Sequence, residues 1–285
     1  MGANHVGEIA ELCRIAEPTH GLITNIGRAH IGSFGGHENI VRGKTELYRF
    51  LEQADASSFV NGADRLLLTE SNTTEKITYL SADSDYPVIS KNTSPLVSCS
   101  WRDLDIQTQL TGEYNLSNIA VAIAVGDYFD VPAVNIKKGL EKYIPENNRS
   151  QIVQTDKKNT IIKDYYNANR SSMELALLNL ANMNTEQEKI AILGDIGDLE
   201  DYSHDEHLAV INFALELDIQ KIIVVGKEFS QVHVDSEKVT QYEHVDNALV
   251  DLQDMNIRNS IVLLKASRGP KPLPVFEVLF SDVDW

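Results

Sequence analysis

The sequence predicts an α/β fold in two domains, residues 1–148 and 149–285. Three observations predict it. From residue 150 on, short β-branched runs alternate with apolar-periodic segments of helix length, the pattern of a doubly wound sheet with crossover helices. The stretch Ile161–Met173, reading IIKDYYNANRSSM, runs from a buried strand end through polar residues straight into a helix. Open α/β sheets place ligands at such turns. A polar linker, Pro145–Ser150 (PENNRS), sets this half apart from an upstream half with its own strands and helices.

Composition narrows the class. The 285 residues are 42% hydrophobic and 24% charged, ordinary for a water-soluble globular chain with ample core. Net charge is −17, so the general surface repels polyanions and nucleic acid is not expected as a partner. The two cysteines, Cys13 and Cys99, lie far apart without metal-binding spacing, which suits a reducing cytoplasm. No apolar run approaches membrane-spanning length, and no charged-then-apolar leader opens the chain.

Taken in order, Val6–Ala16 reads as a helix stopped by Pro18, and Gly21–Ile26 as a buried strand. The glycine-rich stretch Gly27–Gly35 then exposes one histidine, His30. Glu38–Leu51 reads as a single helix with Ile40, Val41, Leu47, Phe50 and Leu51 on its apolar face. Gly43 weakens that helix by about 1 kcal/mol relative to alanine. A small residue there permits close approach of another group. Its neighbour Lys44 reads, on its own, as a solvated charge.

Ala56–Asn61 and Arg65–Leu68 read as a strand and its continuation. Residues 69–110 are turn-rich and read as short antiparallel strands, with Cys99 and Trp101 as packing residues. Asn115 and Asn118 lead into a helix over Ile119–Tyr128. Their spacing of three puts them on one face, and helix capping accounts for one of them without a ligand. Ala133–Tyr143 is a second helix.

In the later half, strands are predicted at 151–154, 160–164, 188–194, 220–225 and 260–265. Helices are predicted at 172–182, 203–217, 245–254 and 274–280. Ser171 and Ser172 are the N-cap candidates for the first of these. An Asx-rich turn is commonly just a turn, so Asp164, Tyr166, Asn167 and Asn169 carry chemistry only if something else picks them out. Lys265 and Arg268 form a basic pair at a strand end of an acidic chain. They suit a carboxylate ligand or, equally, surface solubility.

The order of residues in the turn does pick it out. Asp164-x-Tyr166-Asn167-Ala168-Asn169-x-x-Ser172-Met173 resembles the Mur ligases, in particular the branch that adds D-alanyl-D-alanine to a UDP-N-acetylmuramoyl tripeptide. Further matches are Met1-Gly2-Ala3-Asn4-His5, the loop Ala29-His30-Ile31-Gly32-Ser33-Phe34-Gly35, Lys44-Thr45-Glu46-Leu47-Tyr48, Leu193-Gly194-Asp195 and Leu264-Lys265-Ala266-Ser267-Arg268. Departures are Arg170 for a usual proline, Tyr114 for histidine, Asn147-Asn148 for Pro-Gly before Arg149, and Ala266 for glycine.

The resemblance implies a partial central ATP-binding domain followed by a Rossmann-like ligase domain, with ATP bound between the two and closure as a step. It implies that His30 and a carbamylated Lys44 hold Mg2+, that Asn115 and Asn118 address adenine, and that Arg149 and Asp164 hold phosphate and ribose. Catalysis falls to Lys44, His30 and Arg149. Tyr166, Asn167 and Asn169 order the closed site, and Lys265, Ser267 and Arg268 receive the incoming dipeptide.

The implied substrates are ATP, the UDP-N-acetylmuramoyl tripeptide and D-alanyl-D-alanine, for a cytoplasmic, monomeric enzyme. The family's N-terminal UDP-binding domain and phosphate loop are expected to lie outside this sequence, because no G-x-x-x-x-G-K-[ST] is present in it. An inactive fragment or binding remnant is therefore the competing expectation. A folylpolyglutamate synthase is a third, and the Tyr-Asn-Ala-Asn turn argues against it.

Overall fold

In the computed structural model, residues 1–267 are described. The chain divides into two compact units, Met1–Tyr143 and a second beginning at Ile144.

The first unit is built on a four-stranded parallel sheet in the order β1 (His20–Leu22), β2 (Ser57–Asn61), β3 (Glu75–Leu80), β4 (Tyr86–Pro87). β2 is buried at every position, as a central parallel strand must be. Helix α1 (Glu8–Ala16) packs on α3 (His37–Lys44) and α4 (Glu46–Gln53), and the short α2 (Ile31–Phe34) precedes them. Helix α5 (Arg65–Glu70) follows β2.

An antiparallel sheet of β5 (Ile89–Asn92), β6 (Ser98–Trp101) and β7 (Leu104–Gln107) comes next. It shares a core with α6 (Asn115–Tyr128) and α7 (Ala133–Lys142), through Cys99, Trp101, Ile106, Ile119, Ile123 and Ile136.

Several expectations change here. Arg65–Leu68 is not a strand: Asp64 caps the segment as a helix, its Oδ1 accepting from Leu67 N at 3.1 Å. The span 38–51 is two helices, broken at Thr45, whose Oγ1 donates to Val41 O at 2.8 Å. Only the later part of 69–110 is antiparallel, since β3 and β4 extend the parallel sheet. Helix α6 begins at Asn115, so Asn115 and Asn118 lie inside it rather than before it.

The second unit holds a six-stranded sheet in the order β12-β11-β10-β13-β9-β8. These strands are β8 (Gln151–Gln154), β9 (Thr160–Asp164), β10 (Glu188–Gly194), β11 (Lys221–Val225), β12 (Val239–Tyr242) and β13 (Ser260–Lys265). All neighbours are parallel except the edge pair β8–β9. Both faces are covered. Ile190, Ile192, Ile223, Val225, Val262 and Leu264 pack with Ala248 and Leu252 of α11 (Val245–Asp254). The alternate residues face the other way, where α8 (Arg170–Ala181) packs on β10 and β13, and α9 (Ser203–Leu215) packs on α8. Strands buried on both faces read as continuous β-branched runs, which is why they were legible.

Strand β12 and the one-turn helix α10 (Lys227–Ser230) were not predicted, because VTQY at an edge is short and only half buried. The expected helix 274–280 lies outside the described residues. Among the described residues no helix is long and apolar enough to cross a membrane.

Candidate active site

In the sheet of the second unit the chain leaves β9 by α8 for β10, continues outward to β11 and β12, and returns to place β13 between β10 and β9. The strand order therefore reverses around β13. The carboxyl ends of β9, β13 and β10 form the switch point where such folds bind ligands. Asp164, Lys265 and Gly194 end those three strands.

Asp164 is the organising group. Its Oδ2 accepts from Lys265 Nζ at 2.7 Å and its Oδ1 from Ser150 N at 3.1 Å. Lys265 is only 2% exposed. Its ammonium also lies 3.4 Å from Asp164 O and from Asn167 O. It is thus a buried cation holding the turn together, not a surface charge. Arg268, its expected partner, lies outside the described residues.

Tyr166 follows two residues later, and the guanidinium of Arg149 sits 3.7 Å from the centre of its ring. Asn167 is exposed and accepts from Ala168 N at 3.0 Å. Asn169 is the N-cap of α8, in place of the expected Ser171 or Ser172. Its side chain accepts from Ser172 N at 3.0 Å, and Ser172 Oγ accepts from Asn169 N at 3.0 Å, a reciprocal capping box.

Arg170 is then the first helical residue, where proline is well tolerated because that N–H has no partner to lose. Arginine stands there instead and pairs with Glu174 at 2.7 Å, one turn on. Ser267 joins the strand ends. Its Oγ donates to Ala168 O at 3.1 Å and accepts from Gly197 N at 2.9 Å, and its own N donates to Asp195 O at 3.2 Å.

Asp195 turns away from this cluster. Its carboxylate caps α10, accepting from Glu228 N at 3.1 Å and Phe229 N at 3.0 Å. His207 is fully buried beside it. Ile196 N donates to its Nε2 at 3.0 Å, and its Nδ1 donates to Ser203 O at 2.7 Å. One ring nitrogen accepts and the other donates, which fixes the neutral tautomer. Burial pushes His207 below the usual histidine range, against the pull of Asp195, Glu228 and Glu206. His204, the other histidine of that stretch, is largely exposed beside Asp205.

In the first unit, His30 has left-handed backbone (φ 60°) at the start of α2. Phe34 closes that helix, and its ring lies where a Cβ on Gly43 would be, 2.7 Å from Cε1. The group that approaches Gly43 is therefore Phe34. Its packing joins the His30 loop to the helix that ends in Lys44. Burial pushes the Lys44 ammonium below the usual lysine range. An amine that is more readily neutral is the form that adds carbon dioxide.

Glu46, two residues on, is buried. Its carboxylate accepts from Gly7 N at 2.6 Å and Ala10 N at 2.9 Å. Glu46 belongs to the motif Lys44–Tyr48, which by itself assigns it no contact. A carboxylate next to a helix's apolar face was the available signal.

Asn115 is 7% exposed; its Nδ2 donates to Thr111 O at 2.7 Å and its Oδ1 accepts from Asn118 Nδ2 at 3.0 Å. Asn115 thus orients Asn118, which is itself exposed. Among the described residues no group of three or more His, Cys, Asp or Glu could hold a metal. Magnesium asks little of a protein, however: one or two oxygen ligands, with waters and substrate phosphates completing the shell.

Residues 1–126 match the Mur ligase middle domain, and residues 148–268 match the Mur ligase glutamate ligase domain. The chain belongs to the Mur ligase family. It is 28% identical over 284 residues to the UDP-N-acetylmuramoyl-tripeptide--D-alanyl-D-alanine ligase of Bacillus subtilis, covering 95% of this chain and 61% of that protein. The enzyme of the same name from Treponema pallidum is 28% identical over 94% of this chain and 60% of its own. Among solved structures, MurF from Acinetobacter baumannii superposes with a TM-score of 0.84 at 26% identity, over 98% of this chain and 62% of that one.

The fold is also that of MurF from Thermotoga maritima in complex with ADP, at a TM-score of 0.83 and 20% identity, over 98% of this chain and 65% of that one. The chain spans about three-fifths of the length of the curated relatives it matches. Within the Mur family the turn Asp164–Asn169 thus sits at the switch point of the glutamate ligase domain.

Proposed function

We propose that this chain serves ATP-dependent peptide-bond formation, joining D-alanyl-D-alanine to a UDP-N-acetylmuramoyl tripeptide. The observation that carries the reading is the Asp164–Asn169 turn, set at the carboxyl ends of β9 and β13 and braced by Lys265 and Ser267. The likeness to relatives named for this reaction supports it.

A carboxylate is a poor electrophile, so it is first activated. The tripeptide's terminal carboxylate oxygen attacks the γ-phosphorus of ATP, forming an acyl phosphate and releasing ADP. The free amine of D-alanyl-D-alanine then attacks the carbonyl carbon. The tetrahedral intermediate expels phosphate, and the amine nitrogen loses a proton. The protein's contribution is to position these groups and offset their charge.

In this reading Asn118 meets the adenine, with Asn115 orienting it. Arg149 contacts phosphate and Asp164 the ribose. Asn167, Asn169 and Ser267 shape the acceptor end, with Lys265 holding the turn. His30 and a carbamate on Lys44 would hold Mg2+, which when bound offsets phosphate charge. The lowering of the Lys44 ammonium by burial, and the packing of Phe34 on the neighbouring Gly43, support that use. The protein acts as a cytoplasmic monomer.

Phosphate release tests this, measured with ATP, Mg2+, the tripeptide nucleotide and D-alanyl-D-alanine, and with each omitted in turn. Release that requires both acceptor and dipeptide, with the pentapeptide product found by mass, is the expected result. A folded chain that binds ATP yet releases phosphate regardless of the dipeptide would sink the assignment. Arg149→Ala is the better negative control. Removing Asp164 would strand the buried Lys265 charge and confound folding with function.

A further inference from the structure

We infer that Tyr166 is a positioning residue for Arg149, holding the guanidinium beside the turn so that it meets a phosphate already oriented. The inference rests on the nucleotide reading above and adds a residue-level device to it.

Arg149 belongs to a segment outside any strand or helix, in which Asn147, Asn148 and Ser150 all have left-handed backbone (φ 57°, 56° and 51°). A long side chain on such a segment would ordinarily sample many rotamers. Two contacts oppose that. Ser150 N donates to Asp164 Oδ1 at 3.1 Å, which pins the backbone next to Arg149. The guanidinium carbon lies 3.7 Å from the centre of the Tyr166 ring, within range of a cation–π interaction. Successive residues 149 and 150 are therefore held by residues 166 and 164 of one turn.

Charge decides what the arrangement is for. Asp164 is the carboxylate of that turn, and each of its oxygens already accepts a hydrogen bond, from Ser150 N and Lys265 Nζ. Among the described residues Arg149 has no carboxylate partner. An aromatic face holds a guanidinium without neutralising it and leaves its N–H donors for oxygen acceptors. A carboxylate in place of Tyr166 would hold the arginine more tightly and compete with phosphate. A phenylalanine would serve as well as tyrosine; an aliphatic residue would not.

The test compares Tyr166→Phe, Tyr166→Leu and the unaltered protein in binding ATP and adenosine by calorimetry. Expected is an ATP affinity about three- to tenfold weaker for Tyr166→Leu, an unchanged adenosine affinity, and near-parental values for Tyr166→Phe. In an Arg149→Met background, Tyr166→Leu should have no further effect on ATP. The Arg149 side-chain NMR resonances of the free, unaltered protein should carry an upfield ring-current shift. That last measurement decides even if Tyr166→Leu fails to fold.

Parental ATP affinity in folded Tyr166→Leu, equal losses for ATP and adenosine, or absence of the ring-current shift would each overturn the inference while leaving the nucleotide reading intact. An unaltered, folded protein that binds neither ligand would overturn both.

Discussion

Glu46 closes the start of helix α1: its carboxylate accepts from Gly7 N at 2.6 Å, across 39 residues of sequence, and from Ala10 N at 2.9 Å. The first N–H groups of a helix have no partner within it, and their end of the helix is electropositive. A buried carboxylate answers both needs. Gly7 has φ 101°, a backbone that favours glycine. Because Glu46 lies two residues after Lys44, the contact ties α1 to the helix break that follows Lys44.

Glu46→Ala should destabilise the first unit by about 1–2 kcal/mol, since two charge-assisted hydrogen bonds at the start of α1 are lost and the part-buried N–H groups of Gly7 and Ala10 must turn to water. Glu46→Gln should cost less, as its carbonyl still accepts one bond. Urea unfolding followed by a probe in the first unit measures this; a loss under about 0.5 kcal/mol for the alanine variant would contradict it.

His207 makes a pH dependence. Its folded-state value lies below the usual histidine range of about 6.5. Above that range the ring is neutral in both folded and unfolded chains, and nothing is lost. As pH falls below about 6.5, the unfolded chain takes up a proton that the folded one resists. Stability therefore falls with falling pH, by at most about 1.4 kcal/mol per pH unit. Comparing stability from pH 7.5 to 5.5 with that of His207→Gln isolates the effect. The glutamine variant is less stable at pH 7.5, and the gap to the parent narrows on acidification. A constant gap would show that His207 does not carry the dependence.

Gly226 and Asp195 are matched. Gly226 has φ 145°, and a Cβ there would collide with the Asp195 carboxylate that caps α10. Gly226→Ala should cost about 3 kcal/mol or more, from backbone strain and the clash together. In an Asp195→Ala background the same change should cost at least about 1 kcal/mol less, because the clash is gone. Additive costs in calorimetric unfolding would refute the pairing.

Lys265 and Asp164 form the other pair open to test. Asp164→Ala leaves an ammonium that is 2% exposed without its counter-charge, and should cost about 3–5 kcal/mol. Changing both, Asp164→Ala with Lys265→Met, should recover a large part of that stability while abolishing any nucleotide binding that Asp164 supports. Equal stabilities of the single and double variants would mean the ion pair does not organise the turn.

Several features were legible because they are local. The strands of the second unit are buried on both faces, so each reads as an apolar run wherever its neighbours lie. The turn Asp164–Asn169 is contiguous, and its order of residues survives as a motif. Other features misled for the same reason. Arg65–Leu68 has an apolar run that suits strand or helix, and the choice rested on the Asp64 side chain meeting Leu67 N. Ser171 and Ser172 are good caps by type, but Asn169 occupied the position first.

The sequence by itself determined the alternation of strands and helices in the second half, the acidic balance, and the motifs that mark the family, because each is written in neighbouring residues. Only the tertiary structure decided that Lys265 is buried against Asp164, 101 residues away, that Phe34 fills the space above Gly43, and that Glu46 caps the start of a helix 39 residues earlier in the chain. Those outcomes depend on which charges and rings folding brings within a few ångströms, and on the desolvation that follows. Spacing along the chain does not encode either quantity.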